Sequence, residues 1–151
     1  MESRLLQESG GLRTYVLLLG RGAEAVSEVA AFAAAQRLAG AAVDAVGGCR
    51  EVRLGYYEPV LSRYRHNHFS GQHEVLALHG SIVDQADTYV LHARAVLGRK
   101  DSTTLGGHLE RLVVFPKLEV VLTETPPHLH RAVDPETGMA LIPPEPEDWA
   151  T

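Results

Sequence analysis

The stretch HEVLALHGSIVDQADTYVLHARAVL, residues 73–97, decides the fold class. Apolar and polar residues alternate on both sides of the polar segment DQAD, which is typical of strands buried on one face. A short polar turn between two such runs predicts an antiparallel β-hairpin. The residues on its core face are Leu76, Leu78, Leu91, Ala93 and Leu97.

The opposite face of this hairpin carries chemically active side chains. With the turn centred on Gln85-Ala86, His79 lies directly opposite His92, and Arg94 shares their face. Paired residues on neighbouring strands have Cβ atoms roughly 5 Å apart, so two imidazoles can share one metal ion. His108 follows Gly106-Gly107, and glycines let the backbone bend toward the hairpin.

Three histidines with an open fourth position suit zinc or another divalent metal. His79, His92 and His108 are therefore the candidate metal ligands. The alternative interpretation is that they are polar residues on a solvated sheet face or at a subunit contact.

The rest of the chain predicts one helix among many strands. RTYVLLLGRG is a predicted strand, and EAVSEVAAFAAAQRLAG is an alanine-rich helix that ends at Gly40. Two short extended pieces then flank Gly47-Gly48, where a bulge or bend is expected, and Pro116 is expected to break a later strand or mark its edge. The pattern indicates an α+β domain with a mainly antiparallel central sheet. Because one helix cannot cover both faces of such a sheet, we expect self-association.

Three segments of different composition divide the chain. Residues 1–11 are predicted to form a flexible lead, 12–142 a single domain, and 143–151 a tail rich in acid and proline. One cysteine, Cys49, excludes an internal disulfide, and the N-terminus has no apolar signal segment. No apolar run is long enough to span a membrane. We therefore expect a cytoplasmic protein.

The net charge of −5 argues against direct nucleic-acid binding, since such proteins usually present a basic face. Neither a glycine-rich phosphate loop nor a Gly-x-Ser-x-Gly turn is present. Cys49 is either a thiol nucleophile or a packing residue. Glu119 is either a base near the histidines or a solvated side chain.

Several segments, in their order and spacing, together resemble the plants-and-prokaryotes-conserved (PPC) domain, in its bacterial and archaeal stand-alone form without an AT-hook. They are RTYVLLLGRG with the following helix, GGCREVRLGYYEP, YRHNHFSGQHEVLALHGSI, LHARAVLG, GGHLERLVVFPKLEVVLTE and DPETG. The resemblance implies a PPC-like α+β fold with an antiparallel sheet, assembled as a homotrimer. It also implies a metal site built from a His-x-His on a strand and a later Gly-Gly-His.

One position departs from that metal pattern. His92 falls on the first strand histidine and His108 on the Gly-Gly-His, but Arg94 stands where the second strand histidine is usual. A guanidinium stays protonated and is a poor ligand. Either His79 replaces the missing ligand, or Arg94 makes the pocket an anion site for a carboxylate or phosphate.

The leading functional prediction is a small trimeric binding module with a histidine-lined pocket for zinc or a related ion. A regulatory or DNA-associated role fits the family, but the AT-hook is missing and the charge is acidic. The first alternative is a metal-dependent hydrolase or lyase that acts on a small molecule, with Glu119 as base. The others are an anion-binding module and a purely structural role at a subunit contact.

Overall fold

The computed structural model describes residues 1–38, 40–61, 63–85, 88–126, 132–133 and 140–141. Within these residues, one α-helix and a mainly antiparallel sheet confirm the predicted α+β class. The elements are β1 (Glu2–Ser9), β2 (Leu12–Gly20), α1 (Ala25–Gln36), β3 (Gly40–Glu58), a 3-10 turn (Pro59–Leu61), β4 (Arg63–Gln85), β5 (Thr88–Gly98), β6 (Thr104–Glu124), β7 (Ala132–Val133) and β8 (Ala140–Leu141). The predicted tail, 143–151, lies outside the described residues.

The main sheet has six strands in the order β1-β2-β6-β3-β4-β5, and β5 also pairs with β6. Strand β6 therefore has β3 along one edge, and β5 followed by β2 along the other. The sheet closes on itself where β5 meets β6, and α1 packs against these two strands. The enclosed side is apolar, and its fully buried residues include Leu17, Leu19, Leu97, Leu112 and Leu118.

Glu24 caps α1 and joins it to the sheet. Its carboxylate accepts hydrogen bonds from the backbone N–H of Val26 (3.2 Å) and Ser27 (2.9 Å), and of Leu112 on β6 (3.0 Å). The helix ends at Gln36, earlier than the predicted Gly40, because Arg37 adopts a left-handed conformation with φ of 53°. No helix in the described part of the chain is long and apolar enough to cross a bilayer.

β3 and β6 are each one continuous strand, where the sequence predicted two extended pieces joined by a bulge or bend at Gly47-Gly48 and a break or edge position at Pro116. β3 accommodates its bend with irregular pairing between Ala45 and Gly47 and between Cys49 and Glu51. A Cβ at Gly48 would collide with the backbone carbonyl of Phe115, so the close approach of β3 to β6 requires glycine there. β6 runs through Pro116 without a break, and Pro116 lies at an irregularity in the pairing of β6 with β3, between the pairs Gly47–Leu118 and Cys49–Val114.

The N-terminal segment is the second difference from the prediction. Glu2–Ser9 forms β1, which pairs antiparallel with β2, where the sequence predicted a flexible lead. All eight residues are exposed, so backbone hydrogen bonds rather than burial hold this strand. A strand without a buried face has no alternating pattern by which the sequence could reveal it.

The hairpin of β4 and β5 has a register two residues away from the predicted one. His79 pairs with Arg94, and His92 pairs with Ser81, so the prediction that His79 faces His92 directly is wrong. A shift of two residues leaves the side chains on the predicted face. A bulge between Val75 and Ala77 also exposes Leu76 and buries Val75 in its place in the core.

Candidate functional site

Six residues form one continuous row of cross-strand partners over the outer face of the sheet. In order they are His66 on β4, Gly55 on β3, His108 on β6, Arg94 on β5, His79 on β4 and Asp44 on β3. We call them the polar row. Strands β3 and β4 each contribute twice, because different ends of these long strands pair in different parts of the sheet. Neighbouring members lie about 4.8 Å apart, the spacing between strands.

Arg94 and His108 are adjacent at the centre of the polar row. The imidazole of His108 is half-buried, and burial lowers its pKa below the ordinary value of 6.5. The charge of Arg94 lowers this pKa further, and the carboxylate of Glu110 partly opposes both effects. His108 is therefore a neutral imidazole at neutral pH.

The guanidinium of Arg94 is exposed and has neither a salt bridge nor a hydrogen bond with any residue that the structure describes. On its other side lies His79, whose Nδ1 contacts the carboxylate of Asp44. Both members of that pair are exposed to solvent. The pair uses one nitrogen of His79 and leaves Nε2 to face other groups.

Glu110 is the extra residue of a bulge in β6, and its carboxylate lies over Gly55. Oε1 is 2.6 Å from Nδ1 of His66, and Oε2 is 2.8 Å from Nε of Arg53. The contact with Arg53 is an ion pair without hydrogen-bond geometry, since the buried Oε2 has no hydrogen-bond partner among the described residues. A Cβ at Gly55 would be 2.6 Å from Oε1 and 3.1 Å from the ring of Tyr64. The missing side chain of Gly55 thus provides the space that Glu110 occupies.

Aromatic rings border the same region. The ring of Tyr64 lies against His108 with centroids 5.7 Å apart, and against Tyr57 with centroids 5.3 Å apart. His68 faces Glu51, with 3.4 Å between Nε2 and Oε1. His66 and His68 therefore share one strand face, and each faces a carboxylate.

The structure brings the predicted site residues together only in part. His79 and His108 lie on opposite sides of Arg94, two strand spacings or roughly 10 Å apart at the backbone. His92 lies on the same face, two residues from Arg94 along β5. Among the described His, Cys, Asp and Glu residues, no group of three could hold a metal ion. Arg94, a permanent cation, thus lies between His79 and His108.

Three residues of this site were not predicted from the sequence to belong to it: Glu110, Tyr64 and His66. The alternation His108-Leu109-Glu110 could have indicated that Glu110 shares the face of His108. Glu119, the carboxylate suggested as a base, pairs instead with Leu18 and Val46 and is exposed. Cys49 is fully buried, which raises the pKa of its thiol to about 11 and favours the packing interpretation.

The same fold occurs in several solved structures. A plant- and prokaryote-conserved (PPC) protein of Pyrococcus horikoshii is 23% identical, with a TM-score of 0.80 over 91% of this chain and 97% of that one. A metal-containing protein from Archaeoglobus fulgidus is 26% identical, with a TM-score of 0.76 over 93% and 96% of the two chains. A protein from Bacteroides thetaiotaomicron that is proposed to bind DNA is 23% identical, with a TM-score of 0.81 over 89% and 93%.

Comparison at the level of sequence identifies the family. No curated protein sequence matches the chain. Residues 6–126, which are most of its length, match the Plants and Prokaryotes Conserved (PCC) domain. This match agrees with the order of segments on which the resemblance was based and with the architecture of the sheet. The chain belongs to the Plants and Prokaryotes Conserved (PCC) domain family.

Proposed function

We propose that this chain is a binding module for a small anionic molecule, with Arg94 as the charged contact. The observation that carries the proposal is the position of Arg94 between His79 and His108, without a carboxylate partner among the described residues. A guanidinium presents a planar fork of donors that matches a carboxylate or a phosphate. The ligand class is therefore a small carboxylate or phosphate.

The neighbours of Arg94 support this assignment. A neutral imidazole at His108 both donates and accepts hydrogen bonds, and it adds no second charge beside the guanidinium. His79, whose Nδ1 contacts Asp44, has Nε2 for a ligand on the other side. An anion at Arg94 would thus find hydrogen-bonding groups on two sides.

The test is a calorimetric titration of succinate into the wild type, Arg94→Ala and Arg21→Ala at low salt. Succinate carries two carboxylates and no other polar group, so its binding reports on the recognition of a carboxylate. We expect about tenfold weaker binding by Arg94→Ala, and wild-type affinity for the control Arg21→Ala. Equal binding by all three proteins would remove Arg94 from the proposal.

The second candidate function is the binding of zinc or another divalent metal through His92 and His108, with His79 as third ligand. Similarity to the metal-containing protein of Archaeoglobus fulgidus favours it. In this chain His79 would first have to leave Asp44, and the charge of Arg94 would oppose the ion. Elemental analysis of protein purified without chelators tests this candidate. One ion per chain, lost in both His92→Ala and His108→Ala, would support metal binding and displace the anion proposal.

We propose further that the chain assembles as a homotrimer. Four apolar residues lie on the outer face of β2, β3 and β6, and we call them the apolar strip: Val16, Leu18, Val46 and Val121. Val16 is half-buried and the other three are exposed, with Glu119 between Leu18 and Val46 as the cross-strand partner of both. Contiguous exposed apolar residues typically mark interaction surfaces. Sedimentation equilibrium tests the assembly, and a mass equal to one chain at micromolar concentration would exclude it.

A DNA-associated role is a separate proposal that draws on the Bacteroides thetaiotaomicron relative, itself proposed to bind DNA. The net charge of −5 opposes it. A titration of duplex DNA at increasing salt tests this role. Absence of binding at low salt would exclude it.

A further inference from the structure

A cleft lies between β4 and the turn that joins β5 to β6. It has a volume of about 560 Å³, within the range of small-molecule sites. Its lining residues are Ser70, Gln72, His73, Arg99, Lys100 and Asp101. The turn follows Gly98, which is four residues and roughly 13 Å from Arg94 along β5. This cleft is therefore separate from the polar row.

His73 is the lone buried polar residue in the part of the chain that the structure describes, with 6% of its surface exposed. Its Nδ1 is 2.9 Å from the carbonyl oxygen of Gly71. Because a carbonyl can only accept, Nδ1 donates this hydrogen bond, and in the neutral ring Nε2 then carries the lone pair. No described residue forms a hydrogen bond with Nε2. The backbone at Gly71, with φ of 94°, thus holds a ring whose second nitrogen is left for a molecule in the cleft.

The opposite wall of the cleft is a tight turn that presents two cations, Arg99 and Lys100. The backbone N–H of Arg99 donates to the carbonyl of Thr103 (2.9 Å). The carboxylate of Asp101 accepts from the backbone N–H of Thr103 (3.0 Å) and from its hydroxyl (2.7 Å). The carboxylate of Asp101 is therefore occupied by its own turn. Arg99 also lies over the ring of Phe69, 5.8 Å from its centroid.

We infer that this cleft binds a compact oxyanion that still carries a proton, with hydrogen phosphate as the simplest example. Lys100 and Arg99 contact the anionic oxygens, and Nε2 of His73 accepts a hydrogen bond from the P–OH group. Sulfate has the same shape as phosphate but carries no proton at neutral pH. It therefore cannot donate to Nε2, and the cleft discriminates between the two ions.

The experiment titrates inorganic phosphate and sulfate into Arg94→Ala at pH 7.5 and follows the backbone amides by NMR. The Arg94→Ala background removes the anion contact of the polar row, so the two sites cannot be confused. We expect shifts at residues 98–103 and about tenfold tighter binding of phosphate than of sulfate, which one hydrogen bond supplies. Equal affinity for both ions, absence of binding, or shifts centred on His108 would each overturn the inference.

Two further variants separate the charge from the hydrogen bond. Lys100→Ala is expected to weaken binding of both ions, whereas Lys117→Ala, on β6, leaves both unchanged. His73→Phe keeps a ring of similar size but removes the acceptor, so phosphate binding should fall to the level of sulfate. If His73→Phe does not fold, the ratio of phosphate to sulfate affinity in the Arg94→Ala background decides the matter alone.

Discussion

Arg94 on β5 is the direct cross-strand partner of His108 on β6, and its charge lowers the pKa of that imidazole. His79 borders the same guanidinium from the other side. A permanent cation at the centre of a row of histidines disfavours a second cation and favours an anion. The chemistry of the polar row thus depends on this one position.

Removing the guanidinium is expected to raise the pKa of His108. In Arg94→Ala the repulsive charge is absent, while burial still lowers the pKa, so only part of the shift is relieved. An NMR titration of the imidazole protons between pH 4 and 8 measures the change. Arg21→Ala is the control that removes one arginine elsewhere and should leave the titration of His108 unchanged. A pKa of His108 that does not rise in Arg94→Ala would contradict the proposed electrostatic coupling.

Glu110→Gln is expected to have the opposite effect on the same group. The carboxylate of Glu110 raises the pKa of His108, so its neutralisation should lower that pKa further. Glutamine keeps the volume of the side chain over Gly55, so the variant changes charge with little change of shape. The same NMR titration measures the result, and shifts of equal sign in Arg94→Ala and Glu110→Gln would be incompatible with it.

Glu124→Gln is expected to lower the free energy of unfolding by about 1–3 kcal/mol at pH 7. Glu124 accepts from Nε and Nη2 of Arg13 at 2.9 Å each and from its backbone N–H at 3.0 Å. Arg13 also donates to the carbonyl of Gln36 at the end of α1 (3.2 Å), so the pair joins helix and sheet.

The pH dependence of that loss follows from the sign of the pKa shift. The hydrogen bond with Arg13 lowers the pKa of Glu124 in the folded state below 4.5. Its contribution is therefore fully present above the unfolded value and is lost as the pH falls through the folded one. Denaturant unfolding at pH 7 and pH 3 measures it. A stability difference between wild type and variant that grows on acidification would contradict this account.

Val46→Glu is expected to dissociate the proposed trimer. Val46 is 52% exposed in the single chain and belongs to the apolar strip, where a carboxylate buried between chains would cost several kcal/mol. Val60→Glu places the same charge on the exposed 3-10 turn and serves as the control. Sedimentation velocity compares the two variants with the wild type. A wild-type sedimentation coefficient for Val46→Glu would place the interface elsewhere.

The thiol of Cys49 is expected to be unreactive in the folded protein. Burial, followed by the charge of Glu74, raises its pKa from 9.0 to about 11, so the thiolate fraction at pH 8 falls about 100-fold. Restricted access slows the reaction further. Labelling with a disulfide reagent in buffer and in denaturant measures both rates. Comparable rates in the two conditions would revive the nucleophile interpretation.

Patterns along the sequence were sufficient for the class of the fold but not for its register. Alternation around DQAD predicted the β4–β5 hairpin. A turn centred on Gln85-Ala86 satisfies this alternation, and so does the observed register, in which Gln85 pairs with Thr88. Two registers that differ by two residues bury the same side chains, so burial cannot choose between them. The sequence therefore predicted which residues share the face of Arg94, but not which of them is its neighbour.

The remaining members of the site depend on irregular pairing. Glu110 reaches His66 because a bulge adds one residue to β6 opposite Arg53 and Leu54. Gly55 leaves the space for its carboxylate, and a glycine in a strand does not by itself reveal which side chain occupies the space beside it. Such contacts arise from tertiary pairing, which periodicity along one strand does not describe.

The bulge at Leu76 limits where strand β4 can gain or lose a residue. His66 and His79 are 13 residues apart, an odd number that would place them on opposite faces of a regular strand. The additional residue between Val75 and Ala77 restores the parity, so both reach the polar row. The side chain of Leu76 is 53% exposed and contributes little packing. Many amino acids can therefore replace Leu76. Its deletion, however, would turn the side chains of one half of β4 to the opposite face of the sheet. At this position the number of residues matters more than their identity.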